Sequence, residues 1–354
     1  MTDVLSMTLP ELQAFLLEKG EKPYRARQLY EWLHKKLAVS YDEMRNLPLA
    51  LRSILETEAP VHAPSIVEKQ VSKIDGTRKY LFGFADGECV ESVLMNYHHG
   101  NTVCISSQVG CRMGCTFCAS TLLGLTRNLT AGEMLQQVYA IQKETGERVS
   151  GVVVMGTGEP LDNYDSLVRF LRMISDGNGL NISERNLTVS TCGLVPGIRK
   201  LSEERLMINL ALSLHAPNDE LRKELMPVAK SYSLTDVMSA MRDYYDVSHR
   251  RLTFEYSVIP GKNDTDRCAL ELAALLEGIN GFVNLIPVNP VRETVYAEAG
   301  RGDALRFKKK LEKHGIHVTI RREMGRDIDG ACGQLRKRHA EMSEGAGSTC
   351  REDG

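Results

Sequence analysis

The chain has 354 residues, of which 42% are hydrophobic and 25% are charged, as expected of a globular protein with a full hydrophobic core. Its 44 basic and 46 acidic side chains nearly cancel to a net charge of −2, which excludes a uniformly basic nucleic-acid binder and requires any RNA surface to be local. No apolar run is long enough to span a membrane and no signal-peptide pattern begins the chain, so we predict a cytoplasmic protein with no membrane partner.

Residues 1–62 have the apolar spacing of helices and are predicted to form an N-terminal helical module. A first helix starts at residues 9–11 and stops at Gly20, and a second follows Pro23. Basic side chains give the second helix a cationic side: Arg25, Arg27, Lys35 and Lys36. Two helices with a basic face fit an RNA-docking module, and they fit equally a small cap that packs on the rest of the protein.

Residues 63–98 change to the alternating pattern of β-strands. Asp75-Gly76 and Asp86-Gly87 are hairpin signals, because glycine tolerates the positive φ that such tight turns require. We predict a small antiparallel meander that joins the helical module to the core. Glu91 lies in its last strand, where a glutamate is usually solvated.

Residues 99–337 alternate between strands and helices, which predicts a parallel α/β sheet. Thr130 and Glu133 form a capping-box pattern that begins one of these helices. The number of units favours an open, partial (β/α)6-type barrel, and residues 338–354 are predicted to be a disordered tail. The predicted strands are 102–106, 152–155, 187–190, 209–214, 252–259, 283–286 and 317–321.

Three cysteines follow the first predicted barrel strand in the run Cys111-Arg-Met-Gly-Cys115-Thr-Phe-Cys118. Nine cysteines in a reducing compartment favour metal or redox chemistry over a disulfide scaffold. Three thiolates could hold a 4Fe–4S cluster and leave one iron open, as a catalytic metal site requires. Structural zinc would need a fourth ligand, and inert core cysteines would not be separated by Arg112 and Gly114.

Polar motifs follow several of the predicted strands, at the edge where barrels of this type bind ligands. They are Gly156-Thr-Gly158-Glu159-Pro, Ser190, Ser213-Leu214-His215 and Asn289. Taken singly, each fits an ordinary turn or helix cap. Together, at the same end of successive strands, they indicate a ligand site. A further cysteine, Cys332, stands between small residues, although buried structural cysteines are the commoner case.

The cysteine run resembles that of the radical S-adenosylmethionine (SAM) superfamily. The order of motifs over nearly the whole chain is similar to the RlmN family of RNA adenine-C2 methyltransferases. Thr157 departs mildly from the methionine that is usual in that family. The motifs that carry the resemblance are 104–111, the 111–118 cysteine run, 156–160, 213–215, 283–290 and 327–335.

The resemblance implies a 4Fe–4S cluster on Cys111, Cys115 and Cys118, and two SAM molecules per turnover. It implies SAM contacts at Gly158, Glu159, Ser190, Ser213, Leu214, His215 and Asn289. In this scheme Cys332 is first methylated, and its S-methyl group, as a methylene radical, adds to the electron-poor C2 of adenine. Glu91 then accepts the C2 proton, and Cys104 resolves the adduct through a transient disulfide with Cys332.

The resemblance also implies the partners: an adenosine in 23S rRNA at the peptidyl-transferase centre, an adenosine 3′ of the tRNA anticodon, an electron donor and a thiol reductant. We expect a monomer. The alternatives are adenine-C8 methylation, the activity of a sister family, and a non-catalytic RNA-binding protein with a structural metal. Pro160 and Pro287 stand where the sister family has alanine and arginine, which favours C2.

Overall fold

The computed structural model describes residues 2–98, 100–287 and 300–328, together with Leu335. Asn289, Cys332 and the predicted tail 338–354 lie outside the described residues. No helix in the described part of the chain is long and apolar enough to cross a membrane.

Helices form the N-terminal part of the chain, as the sequence predicts. They are α1 (Leu9–Glu18), α2 (Pro23–His34) and α3 (Leu49–Glu58). The side chain of Glu11 accepts a hydrogen bond from the backbone N–H of Thr8 (2.7 Å), a reciprocal capping arrangement that fixes where α1 begins. The structure adds α3, which the sequence pattern did not single out.

Four antiparallel strands follow the helices: β1 (Ser65–Val71), β2 (Arg78–Gly83), β3 (Cys89–Tyr97) and β4 (Gly100–Ile105). Gly76 and Gly87 have φ values of +73° and +85°, so both predicted hairpin turns use glycine where a side chain would be strained. The predicted meander is therefore confirmed. β4 also pairs in parallel with a later strand, β7 (Val149–Val154), so the meander extends the barrel sheet rather than standing apart from it.

The remaining strands and helices alternate, which confirms the α/β barrel prediction. The described residues form one sheet of ten strands in the order β1-β2-β3-β4-β7-β8-β9-β10-β11-β12, parallel from β4 onward, and a separate hairpin of β5 (Gln108–Gly110) and β6 (Leu125–Asn128). The later strands are β7 (Val149–Val154), β8 (Leu187–Thr191), β9 (Asn209–Ser213), β10 (Leu252–Val258), β11 (Gly281–Pro287) and β12 (Val318–Ile320). The helices are α4 (Ala131–Thr145), α5 (Tyr164–Ser175), α6 (Val195–Glu203), α7 (Asp219–Leu225), α8 (Leu234–Ser248), α9 (Asp266–Leu276) and α10 (Arg301–Lys313).

The two faces of the sheet differ in chemistry because side chains alternate along each strand. One face packs against the helices and is apolar: Val103 and Val152 are fully buried there, and Tyr256 of β10 meets Phe307 of α10 with ring centroids 5.4 Å apart. We call the opposite side the inner face. It carries polar side chains, among them Ser213 and Glu255, which are register partners on β9 and β10. This face holds the candidate site.

The helical module is joined to the barrel helices by polar contacts. The hydroxyl of Tyr30 donates to Asp176 (3.0 Å), just after α5. His34 and Tyr139 of α4 share a buried hydrogen bond of 2.9 Å, and burial lowers the pKa of His34 to about 3, so its ring stays neutral. These contacts fix the module against the outer helices.

Candidate active site

The cysteine loop begins directly after β5 and is held by backbone hydrogen bonds. The N–H of Cys111 donates to the carbonyl of Gly124 (2.9 Å), and the N–H of Cys118 donates to the carbonyl of Cys115 (3.1 Å). Thr116 donates to the carbonyl of Leu225 (3.0 Å) at the end of α7. The loop is therefore fastened to the barrel rather than free at its surface.

The electrostatics of the three thiols fit a metal group. Burial raises the pKa of Cys111 to about 11, and burial together with the neighbouring thiols raises the pKa of Cys115 further. Three thiolates are unfavourable here without a compensating cation, which a cluster supplies. Among the described residues no three His, Cys, Asp or Glu side chains already converge tightly enough to hold one metal ion. A 4Fe–4S cluster does not require this, because each cysteine binds a different iron.

The glycine loop after β7 lies against the segment that precedes the cysteines. Gly158 has a φ of +107°, and a Cβ there would come within 2.6 Å of the Cβ of Gln108, so only glycine fits. The N–H of Ser107 donates to the carbonyl of Thr157 (2.9 Å). The two predicted motifs are therefore in direct contact, although they are far apart in sequence.

Glu159 is buried, and its carboxylate already accepts two backbone hydrogen bonds. The donors are the N–H groups of Leu161 (3.1 Å) and Cys192 (2.7 Å). Burial raises the pKa of Glu159, and these hydrogen bonds oppose that change. The side chains of Thr191 and Cys192 also hydrogen-bond to this carboxylate, so a ligand ammonium group would share acceptor oxygens that the protein already uses.

The serine and histidine motifs meet at the ends of β8 and β9. The hydroxyls of Ser190 and Ser213 lie 3.3 Å apart. The ring of His215 contacts Phe117 of the cysteine loop with centroids 4.8 Å apart, and its Nδ1 accepts from the N–H of Ser257 (2.9 Å). Burial lowers the pKa of His215 to about 3. The side chain of Leu214 is fully buried in the helix-covered core, so a ligand could reach only its backbone.

Arg222, which the sequence did not single out, is a fully buried cation beneath these strand ends. Its guanidinium donates to the carbonyls of Cys192 (2.6 Å) and Leu214 (3.3 Å). Its Nη1 has no hydrogen-bond partner within the part of the chain that the structure describes. The local sequence around Arg222 is that of an ordinary charged helix, so no pattern could have identified it.

Glu91 and Cys104 lie on the inner face, at the meander end. Cys104 of β4 pairs with Val93 of β3, and Glu91 is two residues from Val93, so all three side chains share one face. Glu91 is 3% exposed and Cys104 is 4% exposed. The interpretation of Glu91 as a solvated hairpin residue is therefore excluded.

Lys79 of β2, another residue that sequence reasoning missed, forms a buried ion pair with Glu91. Its Nζ lies 3.0 Å from Oε2 of Glu91, and Lys79 is 0% exposed. The backbone of Glu91 is also fixed. The hydroxyl of Ser106 donates to the carbonyl of Glu91 (2.7 Å) and accepts from the N–H of Thr157 (3.0 Å). One serine thus links the glutamate to the glycine loop.

The described residues on either side of Cys332 lie on the meander. Asp327 accepts from the hydroxyl of Ser72 (2.5 Å) and the N–H of Lys73 (2.8 Å) at the β1–β2 turn. Leu335 is fully buried against Leu81 and Cys89. Leu81 is the register partner of Glu91, so Leu335 packs on the same face as Glu91.

Comparison with known proteins agrees with this geometry. The family model for the radical SAM superfamily matches residues 105–273, and the model described as the ribosomal RNA large subunit methyltransferase N-terminal domain matches residues 2–61. A probable dual-specificity RNA methyltransferase RlmN from Lachnospira eligens is 57% identical over 96% of this chain and 97% of its own length. The chain belongs to the RlmN family. A second such relative, from Lachnoclostridium phytofermentans, is 58% identical over 96% of both chains.

A solved structure supports the fold assignment. The crystal structure of a radical SAM methyltransferase from Sphaerobacter thermophilus is 44% identical, with a TM-score of 0.90, and the alignment covers 94% of this chain and 99% of that one. Membership of the superfamily implies a 4Fe–4S cluster and SAM. In this chain Cys111, Cys115 and Cys118 are the residues that fit the cluster.

Proposed function

We propose that this protein is a radical SAM methyltransferase that methylates C2 of adenosine in 23S rRNA and in tRNA. The observation that carries the proposal is the inner face itself. One continuous face bears Cys104, Glu91 and the buried Leu335 at one end, and Ser190 and Ser213 at the other, where His215 contacts Phe117 of the cysteine loop. The proposed SAM site and the residues proposed to react with the base therefore lie on one surface, along which a methyl group carried on Cys332 would act.

At the barrel end we assign SAM binding to residues that the resemblance indicates. Gly158 and Glu159 would bind its amino group, and Ser190, Ser213, the backbone of Leu214, His215 and Asn289 would complete the site. A reduced cluster with SAM supplies a radical able to remove hydrogen from a methyl group. Thr157, Glu159 and His215 are buried, which limits the access of water to that chemistry.

At the meander end we assign the protein-borne chemistry. The thiolate of Cys332 takes a methyl group from one SAM, because a thiolate is a good nucleophile and the SAM methyl is electrophilic. After the carried carbon has bonded to C2, Glu91 accepts the C2 proton. Cys104 then attacks the sulfur of Cys332 and releases the methylated base, and a cellular dithiol reduces the resulting disulfide. An external electron donor completes the cycle.

The N-terminal module, which we place at residues 1–62, is proposed to dock the RNA. Arg27 of its second helix and Lys35 at the end of that helix are exposed, and two of its aromatic rings lie next to cationic side chains. The guanidinium of Arg25 lies 4.9 Å from the ring of Tyr24, and Lys36 lies 4.1 Å from the ring of Trp32. Cations beside aromatic rings suit single-stranded RNA, which is bound through phosphates and stacked bases. Residues 63–98 and 99–337 would form the extension and the barrel of a monomeric enzyme.

The decisive experiment is the mass of the Cys332 peptide from protein purified without oxygen and incubated with SAM. A gain of one CH₂ on Cys332 is expected, because the cysteine is methylated before RNA arrives. An unmodified Cys332 in protein that holds a cluster and cleaves SAM would remove the methyl-carrier scheme and leave only the family assignment. Mass spectrometry of the digested RNA product separates C2 from the sister activity at C8.

A further inference from the structure

Lys79 and Glu91 form a buried ion pair on the described inner face. Removing an ammonium and a carboxylate from water is unfavourable for each ion, and a buried ion pair often makes a protein no more stable than apolar residues of similar size would. Both side chains are nevertheless almost fully buried, with Nζ and Oε2 3.0 Å apart. Stability alone therefore explains the pair poorly.

The sheet register shows how the pair is built. Lys79 is the register partner of Val93, and Glu91 is the partner of Leu81, so the ammonium reaches the carboxylate diagonally across β2 and β3. Cys104 is the other register partner of Val93. Lys79, Val93 and Cys104 thus form one row across three strands, with Glu91 beside that row.

We propose that Lys79 is a positioning residue that keeps Glu91 charged and aimed at the base for proton removal from C2. The proposal rests on the proposed function, in which Glu91 is the proton acceptor. A general base must start the step deprotonated, and a buried carboxylate that lacks a counter-charge takes up a proton instead. The ammonium of Lys79 supplies that counter-charge without a covalent role.

The charges balance through the step. The adduct formed by radical addition carries one unpaired electron, which would leave by returning to a cluster held by Cys111, Cys115 and Cys118. The C2 proton passes to an oxygen of Glu91, and the electron pair of the broken C–H bond restores the closed-shell ring of the adduct. The pair changes from ammonium–carboxylate to ammonium–carboxylic acid. The remaining positive charge in the buried site favours return of the proton to solvent, which restores the starting pair.

The test compares Lys79→Met, Lys79→Arg and Glu91→Gln in cluster-containing protein with SAM and RNA. Methionine keeps the length of the side chain without its charge, and arginine keeps the charge. Lys69→Met is the matched control, because Lys69 lies on neighbouring β1 and pairs with Glu144 in a partly exposed site. The measurements are cluster content, Cys332 methylation, covalent protein–RNA adduct, and the rate of adduct resolution with RNA carrying hydrogen or deuterium at C2.

Lys79→Met should retain the cluster and the methylated Cys332, accumulate adduct, and resolve it at least about tenfold more slowly. That loss is part of the roughly 10²–10⁴-fold that general-base catalysis contributes. Its deuterium isotope effect on resolution should exceed that of the unmodified protein, because proton removal has become limiting. Lys79→Arg should recover part of the rate, and Lys69→Met should change nothing. A purely structural lysine would lower cluster content or methylation without raising the isotope effect.

The double variant Lys79→Met/Glu91→Gln keeps the test informative if the single variant misfolds, because it leaves no buried charge unpaired. It should behave like Glu91→Gln alone, since Lys79 acts only through Glu91. Unchanged resolution and an unchanged isotope effect in Lys79→Met, or further slowing in the double variant, would overturn the role of Lys79. If Glu91→Gln itself resolves normally, the proposed function of Glu91 fails instead.

Discussion

The two ends of the inner face hold their buried ionisable side chains in different ways. At the meander end, Lys79 and Glu91 form an ion pair within an almost fully buried surface. At the barrel end, burial lowers the pKa of His215 to about 3 and raises the pKa of Glu159, so burial works against charge there. One end thus pairs its buried carboxylate with a lysine, whereas the buried carboxylate of Glu159 at the other end is held by hydrogen bonds from backbone N–H groups.

The difference follows from what each end is proposed to bind. SAM brings an ammonium, a carboxylate and a sulfonium, so the proposed ligand itself supplies the opposite charge for a group such as the Glu159 carboxylate. An adenine base is neutral, so the groups that move its proton must come from the protein. The comparison predicts that variants at the barrel end disturb binding, whereas variants at the meander end disturb the fate of the RNA adduct.

The largest effect is expected from Cys115→Ala at the barrel end. Loss of one of three cluster ligands should abolish cluster binding and SAM cleavage together. Iron and sulfide analysis, visible absorbance and 5′-deoxyadenosine release measure this. Cys268→Ala is the matched control, because Cys268 is a buried cysteine on α9, away from the loop, and should leave all three readings unchanged. A full cluster in Cys115→Ala would refute the assigned ligand set.

Cys104→Ala should stop turnover at the meander end while the barrel end still works. SAM cleavage and Cys332 methylation should persist, and a covalent protein–RNA adduct should accumulate on a denaturing gel, because no thiol is in place to attack the sulfur. Cys89→Ala is the control, since Cys89 is a buried thiol on the same face. If SAM is cleaved and no adduct appears, the resolving role of Cys104 is wrong.

Much of the fold was predictable because its signals are local. The alternation of strands and helices, the hairpin glycines and the Thr130 cap all appear where the sequence placed them. The cysteine run and the strand-end motifs were found for the same reason. The contact between the glycine loop and the Ser107 segment could be predicted approximately, because parallel strands end at one edge of the sheet.

Lys79 and Arg222 could not be predicted, since their significance depends on register and burial. Lys79 sits in Arg-Lys-Tyr-Leu-Phe, which is typical of an ordinary strand with one solvent-facing lysine. Only the pairing of β2 with β3 turns it toward Glu91. Arg222 lies in a charged helix turn, and only the packing of α7 under the strand ends buries it. Long-range pairing, rather than composition, defines both residues.

A smaller effect is expected on stability as a function of pH, through His215. Its folded-state pKa of about 3 lies below the ordinary value of 6.5, so the unfolded chain binds a proton that the folded chain refuses. The contribution of His215 to the free energy of unfolding is therefore fully present above pH 6.5. It is lost as the pH drops toward 3, by roughly 1 kcal/mol per pH unit. Urea unfolding between pH 4.5 and 7.5, with cluster content followed by absorbance, measures the slope.

His215→Asn should flatten that slope. Asparagine tolerates the positive φ of 55° at this position, offers an oxygen near the place of Nδ1, and does not titrate. His314→Asn is the control, because His314 is an exposed histidine at the C-terminal end of α10. Equal slopes in the His215 variant and the unmodified protein would show that acid sensitivity arises elsewhere.

The smallest effect is expected from Ser213→Ala, which removes one neutral hydrogen-bonding group from the proposed SAM site. A single such group contributes about 1 kcal/mol, so SAM affinity should fall about fivefold, while adduct resolution stays unchanged once SAM is saturating. The hydroxyl of Ser190 lies 3.3 Å from that of Ser213, so the Ser190→Ala and Ser213→Ala losses should not add in the double variant. Calorimetric titration of the oxidised-cluster protein with SAM measures the affinity of each single variant and of the double variant, with Ser202→Ala, at a half-buried serine on α6, as the control. Slower resolution at saturating SAM would show that the two ends of the inner face are coupled, and the division of labour between them would have to be abandoned.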